Sequence, residues 1–206
     1  MYMIKQWIVI LAIALVYVYV THLPQKVKNV GNPNISIVAF GDSLTAGKGV
    51  SVTQAYPAVL AEMLGRPVVN LGEQGQTAVE GAKRTRQALS YMPYMVLIEF
   101  GANDFIRAQN PRAAVEAIGQ IVDSVQRVGA VAVIVDVGFP GMGAYSKEFQ
   151  KLAKEKQALY VPGLMQDIVR NRKLKMADNV HPNAKGHRVI AEKIYKEIKP
   201  YIKERD

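Results

Sequence analysis

The feature that most limits how this chain can fold is a set of short apolar runs without the alternation of a half-exposed strand. They are Ile35-Ser36-Ile37-Val38-Ala39-Phe40, Pro67-Val68-Val69-Asn70-Leu71, Met95-Val96-Leu97-Ile98-Glu99-Phe100, the stretch 131–137, and Leu159-Tyr160-Val161. A strand that reads as apolar throughout has both faces covered, as in a parallel sheet with helices on each side. Between the runs the pattern turns helical. Helices are expected over about 53–64, 77–91, 112–128 and 145–156, and again after Asn183. Ile118, Ile121, Val122 and Val125 fall at helical spacing, and Ile190, Ile194 and Ile198 share one face. Pro57 is tolerable only in a first turn, and Gly129 is a good helix stop. Alternating strands and helices joined by right-handed crossovers predict an α/β fold: a three-layer α/β/α domain on a doubly wound, five-stranded parallel sheet. Half of the 206 residues are apolar, enough for one substantial core.

The amino-terminal segment is different. Residues 7–20 are fourteen consecutive apolar residues, WIVILAIALVYVYV, preceded by Lys5. As a helix this run is ~21 Å long against a hydrocarbon core of ~30 Å. Its length suits the apolar part of a signal peptide, but no small-x-small cleavage site follows. Residues 1–24 are therefore expected to be a signal anchor or a signal peptide, with a buried core helix as the remaining reading. Residues 25–34, with Gly31 and Pro33, read as a linker, and 35–206 as the folded domain. Either targeting reading puts that domain in the periplasm or otherwise outside the cytoplasm, in the first case held to the inner membrane by the amino-terminal helix.

The formal net charge is +9. Its densest stretch, Lys185, Arg188, Lys193, Lys196, Lys199, Lys203 and Arg205, is interleaved with Glu192, Glu197 and Glu204 and reads first as a solvated helix face. Attraction to an anionic membrane is the functional alternative. No motif accompanies the charge to suggest nucleic acid. There is no cysteine, which excludes disulfides, a thiolate nucleophile and cysteine-bound zinc. A metal-dependent phosphatase would need more clustered ligands than His22, His181 and His187 provide.

In an open parallel sheet, ligands bind beyond the carboxyl ends of the strands. The residues there are Gly41-Asp42-Ser43-Leu44 after the first strand, Gly72-Glu73-Gln74-Gly75-Gln76-Thr77 after the second, and Gly101-Ala102-Asn103-Asp104 after the third. Asp178-Asn179-Val180-His181-Pro182-Asn183 comes near the end. These hold the parts of an acyl-transfer site. A serine hydroxyl needs a base, and His181 can serve Ser43. Asp178, three residues earlier, can fix the imidazole tautomer, and Pro182 restrains the His181 backbone. The N–H groups of Ser43 and Gly75 and the Asn103 side-chain amide are candidate oxyanion donors. Each element also has a plain structural reading: Asn103 as a helix cap, Asp42 and Asp104 as turn formers, Asp178 and His181 as a surface pair.

At these residues the sequence resembles the SGNH, or GDSL, hydrolase superfamily, over about residues 35–199. Gly41-Asp42-Ser43-Leu44, Gly75, Gly101-Ala102-Asn103-Asp104 and Asp178-x-x-His181 match four of its blocks in order. Within it the chain is similar to the bacterial branch of acyl-CoA thioesterase I, lysophospholipase L1 and arylesterases. The resemblance implies a flavodoxin-like arrangement and a serine esterase or lipase. Ser43, Asp178 and His181 would form the triad, with Gly75 and Asn103 completing the oxyanion site and no cofactor or metal. It also implies a substrate-side loop at 139–145. Ala102 stands where that branch often has glycine, which narrows the pocket. An O-acetyl esterase acting on envelope carbohydrate, and a membrane-anchored binding module without activity, are the alternatives.

Overall fold

The computed structural model describes residues 26–202. Five parallel strands, β1 (Ile37–Gly41), β2 (Val68–Gly72), β3 (Met95–Glu99), β4 (Val131–Val135) and β5 (Leu159–Val161), lie in the order β2-β1-β3-β4-β5. β1, β3 and β4 are buried at every position, which is why they read as continuous apolar runs. β2, at an edge, is only half-buried. Gly41 pairs with Gly72 on one side and with Glu99 on the other. Three strands thus end level, and the turns that follow them converge.

The helices of the described residues are α1 (Ser43–Ala46), α2 (Tyr56–Leu64), α3 (Ala78–Lys83), α4 (Thr85–Leu89), α5 (Ala102–Ile106), α6 (Pro111–Arg127), α7 (Gly143–Lys156), α8 (Gln166–Arg170) and α9 (Ala184–Ile198). They cover both faces. Ile37, Ala39, Leu97 and Val133 pack with Leu60 of α2 and Ile190 and Ile194 of α9. Val38, Phe40, Val96 and Ile98 pack with Ile118 and Ile121 of α6 and Phe149 of α7. Successive strand residues face opposite layers, so the sheet supplies two cores, each large side chain contributing roughly 1.5–3 kcal/mol on burial. This is the three-layer, doubly wound α/β/α domain that the apolar runs predict.

Some helices differ from expectation. The helix expected over 77–91 breaks at Arg84. That side chain turns inward, stacks 4.4 Å over the Phe40 ring and donates to the carbonyls of Gly41 (3.0 Å) and Leu71 (2.9 Å). The helix expected from 53 begins at Tyr56, after a 3-10 turn over Val52–Gln54, with Pro57 in its first turn. The short helices α5 and α8 fall in stretches read as loop or left unassigned.

The expected linker is fastened to the domain from Lys28 onward. The Lys28 N–H donates to the Gln157 carbonyl, and the Asn29 amide to those of Gln126 and Ala130. The Asn32 amide donates to the carbonyls of Gly129 and Pro93. All these acceptors lie before the starts of β3, β4 and β5. The chain therefore enters the domain at the amino edge of the sheet, opposite the converging turns. Among the described residues no helix is long and apolar enough to cross a membrane. The apolar run over 7–20 lies outside them.

Candidate active site

The strand end β1 delivers Ser43 through a crowded turn. A Cβ on Gly41 would strike the Thr45 hydroxyl and both backbone and side chain of Glu99. One on Gly72 would strike the backbone of Thr45 and Ala46. Only glycine lets α1 sit this close to the strand ends. Asp42 caps α1, its Oδ1 accepting the Leu44 N–H at 3.0 Å. Ser43 is the first residue of that helix, so its N–H has no intrahelical acceptor.

His181 and Asp178 come from the turn before α9. Ser43 Oγ lies 3.3 Å from His181 Nε2, and His181 Nδ1 lies 2.7 Å from Asp178 Oδ2. The other Asp178 oxygen accepts the N–H groups of Val180 and His181, both at 3.0 Å. Hydrogen bonds from the His181 ring and these two N–H groups hold the Asp178 carboxyl at about 2, well below the usual carboxylate value. Asn179 takes the left-handed conformation the turn needs, with φ +58°. The Met176 N–H donates to the His181 carbonyl at 2.9 Å, in an antiparallel bridge between Lys175 and Pro182. Asn183 caps α9 through Oδ1, while its amide donates to the carbonyls of Lys173 and Lys175. The imidazole is thus braced on both sides.

Gly75, at φ +78°, lines the same cleft, and its carbonyl accepts Arg107 Nη2 at 2.6 Å. The N–H groups of Ser43 and Gly75 have no acceptor among the described residues. Asn103 is different. It lies inside α5 rather than capping it, and its amide donates to Asp42 Oδ2 at 2.9 Å and to the Gln76 carbonyl at 3.0 Å. Both amide hydrogens therefore already have protein acceptors. Asp104 does more than form a turn: its buried carboxyl accepts the Ala78 N–H at 3.0 Å and ties α5 to the start of α3.

The cleft has a volume of about 140 Å³. Leu44, Ala102, Ile106, Phe139 and Val180 make its apolar wall, and Lys48, Gln74 and the groups above its polar one. Phe139 comes from the loop expected on the substrate side. Among the described residues no three His, Asp or Glu side chains converge as metal ligands do.

Several site-building residues lie outside the motifs that the sequence displays. Arg84 and Arg107 pin the carbonyls of Gly41 and Gly75. Glu99, with Thr45 and Tyr56, lies directly beneath the Ser43 turn. A carboxylate closing an otherwise apolar strand was the available clue to Glu99.

Serine, histidine and aspartate thus lie in line at the carboxyl edge of a doubly wound sheet, an arrangement that can support the chemistry of a serine hydrolase. The chain belongs to the GDSL-like Lipase/Acylhydrolase family, which it matches over residues 39–189, and is a GDSL-type serine esterase. It is 28% identical over 176 residues to the Thioesterase 1/protease 1/lysophospholipase L1 of Escherichia coli, covering 81% of this chain and 85% of that one. It is 27% identical to an arylesterase of Vibrio mimicus, covering 81% and 89%. Among solved structures, the psychrotrophic esterase EstA from Pseudoalteromonas sp. superposes with a TM-score of 0.73 at 26% identity, over 82% of this chain and 98% of that one. TesA shares the fold with a TM-score of 0.77 at 23% identity, over 81% and 99%.

Proposed function

We propose that the enzyme hydrolyses carboxylic esters or thioesters of apolar acyl groups through an acyl-enzyme on Ser43. The observation that carries this reading is the line Ser43 Oγ, His181 Nε2, His181 Nδ1, Asp178 Oδ2, at 3.3 and 2.7 Å. His181 takes the Ser43 proton as Oγ attacks the carbonyl carbon, and Asp178 stabilises the imidazolium. The tetrahedral oxygen is received by the N–H groups of Ser43 and Gly75. It competes with the Gln76 carbonyl for one hydrogen of Asn103, and an anionic acceptor forms the stronger bond. His181 then protonates the leaving alcohol or thiol. The same imidazole activates the water that cleaves the acyl-enzyme and returns the proton to Ser43. The 3.3 Å Ser43–His181 spacing is at the long end for a hydrogen bond, as in sites awaiting substrate.

The apolar wall of Leu44, Ala102, Ile106, Phe139 and Val180, with a single aromatic ring, favours an acyl chain over a sugar. In the same reading residues 1–24 export the domain and, uncleaved, anchor it in the inner membrane. The amino-terminal sequence of the protein from membrane and soluble fractions tests that point.

The activity is tested with p-nitrophenyl esters of short and long acyl chains, acyl-CoA, lysophospholipid and acetylated xylan, alongside Ser43→Ala. Turnover of acyl esters or thioesters, abolished in Ser43→Ala together with labelling by a fluorophosphonate, is the expected result. Turnover confined to the acetylated sugar would select the carbohydrate esterase, and unchanged turnover in Ser43→Ala would remove the mechanism.

A further inference from the structure

Beneath the Ser43 turn lie two neighbouring carboxyl groups, Asp42 and Glu99, linked where the Asp42 N–H donates to Glu99 Oε2. Glu99 is fully buried and Asp42 nearly so, at 1% exposure. Glu99 Oε2 accepts the Thr45 hydroxyl at 2.8 Å and the Asp42 N–H at 3.3 Å. Thr45 spends its one hydrogen there, so the Tyr56 hydroxyl donates to Thr45 Oγ1, 2.9 Å away. Glu99 Oε1 is buried with no donor. Each Asp42 oxygen, by contrast, has one: Leu44 N–H on Oδ1 and the Asn103 amide on Oδ2. Among the described residues no lysine or arginine donates to either carboxyl. The other groups facing the pair are Asp104 from α5 and His181 from the turn before α9.

Two neighbouring carboxylates out of water do not both ionise. The pair therefore holds a proton, and its place follows from the donors. An ionised Glu99 would leave a bare buried oxygen, whereas an ionised Asp42 has both oxygens satisfied. Burial and the neighbouring Asp42 charge push Glu99 well above the ordinary carboxyl range, while Asp42 rises only to about 6 through burial, opposed by the Leu44 N–H.

We propose that Glu99 is held as a neutral carboxylic acid beside the Asp42 carboxylate, and that this pair positions the Ser43 turn and the Asn103 amide for catalysis. One negative charge then suffices to cap α1 and hold Asn103, both through Asp42. Glu99 touches no reacting atom; it is a positioning residue acting through Asp42 and Thr45. The kinetic part of the proposal rests on the hydrolase reading above, and the protonation part does not.

The test is an infrared difference spectrum between the full-length protein and Glu99→Gln at neutral pH, together with the kinetics of Glu99→Gln and Glu99→Ala. The wild type is expected to show the carbonyl stretch of a protonated carboxyl that Glu99→Gln lacks. Glu99→Gln, a neutral donor of the same shape, keeps most of kcat. Glu99→Ala loses roughly tenfold to a hundredfold in kcat, with KM nearly unchanged, as for a small displacement of reacting groups. No such band at Glu99 would overturn its neutral state, whatever the activities. Equal loss in both variants, or full activity in Glu99→Ala, would overturn the positioning role. Should Glu99→Ala not fold, the band and the Glu99→Gln rate still decide. A band present while Ser43→Ala retains turnover would sink the hydrolase mechanism and leave the Glu99 proton standing.

Discussion

Asp178 performs two tasks with one carboxylate, and they separate by atom. Oδ2 meets the imidazole at 2.7 Å, while Oδ1 closes the turn by accepting two backbone N–H groups. Asp178→Asn keeps an acceptor for the turn but loses the anion beside the ring. Thermal stability should stay near the wild type while kcat falls on the order of 10³–10⁴-fold with little change in KM. A comparable loss in stability would mean that the turn, rather than the ring contact, is what Asp178 provides. Gly41 makes the opposite case, where a methyl group is too much. Gly41→Ala drives a Cβ into Thr45 and Glu99 and should cost about 1–3 kcal/mol in urea unfolding, with slower turnover because the same atoms carry Ser43. At this scale the sequence exposed Ser43 because polar residues after an apolar strand are easy to see, and Asp178 and His181 because they sit three residues apart in one turn. It hid the engagement of Asn103 with Asp42 and Gln76, and the grips of Arg84 and Arg107 on carbonyls distant in the chain. Those depend on how far a long side chain reaches across strands, which periodicity does not carry.

Among the elements, strands were the more legible because burial on both faces writes itself into consecutive residues. Helices were legible in their middles, where Ile118, Ile121 and Val125 or Ile190, Ile194 and Ile198 set the buried face, and less so at their ends. Arg84 interrupts a good helical sequence because three bonding opportunities pull it under the sheet edge, a tertiary gain that local propensity does not register. The start of α9 shows how one terminus serves the site. Asn183 caps two N–H groups of that helix and holds the Lys173 and Lys175 carbonyls of the segment that bridges to Pro182. Asn183→Ala should destabilise by about 1–2 kcal/mol, read as a lower urea midpoint. It should also lower kcat, because the loop carrying His181 loses its fastening. Destabilisation without any kinetic effect would show that the helix end and the imidazole are independent.

For the whole molecule, the chain enters at the amino edge of the sheet while the cleft opens at the carboxyl edge. A substrate therefore reaches Ser43 from the side away from Lys28–Asn32, and removal of residues 1–25 should leave kcat/KM toward a soluble p-nitrophenyl ester close to its full-length value. Between neutral and mildly acid pH, His187 in α9 makes stability sensitive to acid. It is fully buried; Nδ1 accepts the Tyr56 N–H at 3.2 Å, so the proton is on Nε2, which has no acceptor among the described residues. Burial, and then the charge of His181, push this imidazole down to about 4, against an unfolded value of about 6.5. Between those values the unfolded chain binds a proton that the folded one refuses. Stability contributed by His187 is complete above about pH 6.5 and is lost as pH falls toward 4. Glu99 and Asp42 run the other way: their folded values are raised, so their contribution is greatest in acid and fades as pH rises. A wild-type profile mixes both trends, so the informative quantity is a difference. His187→Gln keeps an acceptor for Tyr56 and does not titrate. Going from about pH 7 to about pH 5, the wild type should lose about 2 kcal/mol relative to His187→Gln in urea unfolding. Parallel profiles for the two proteins would show that His187 is not the group that acid attacks.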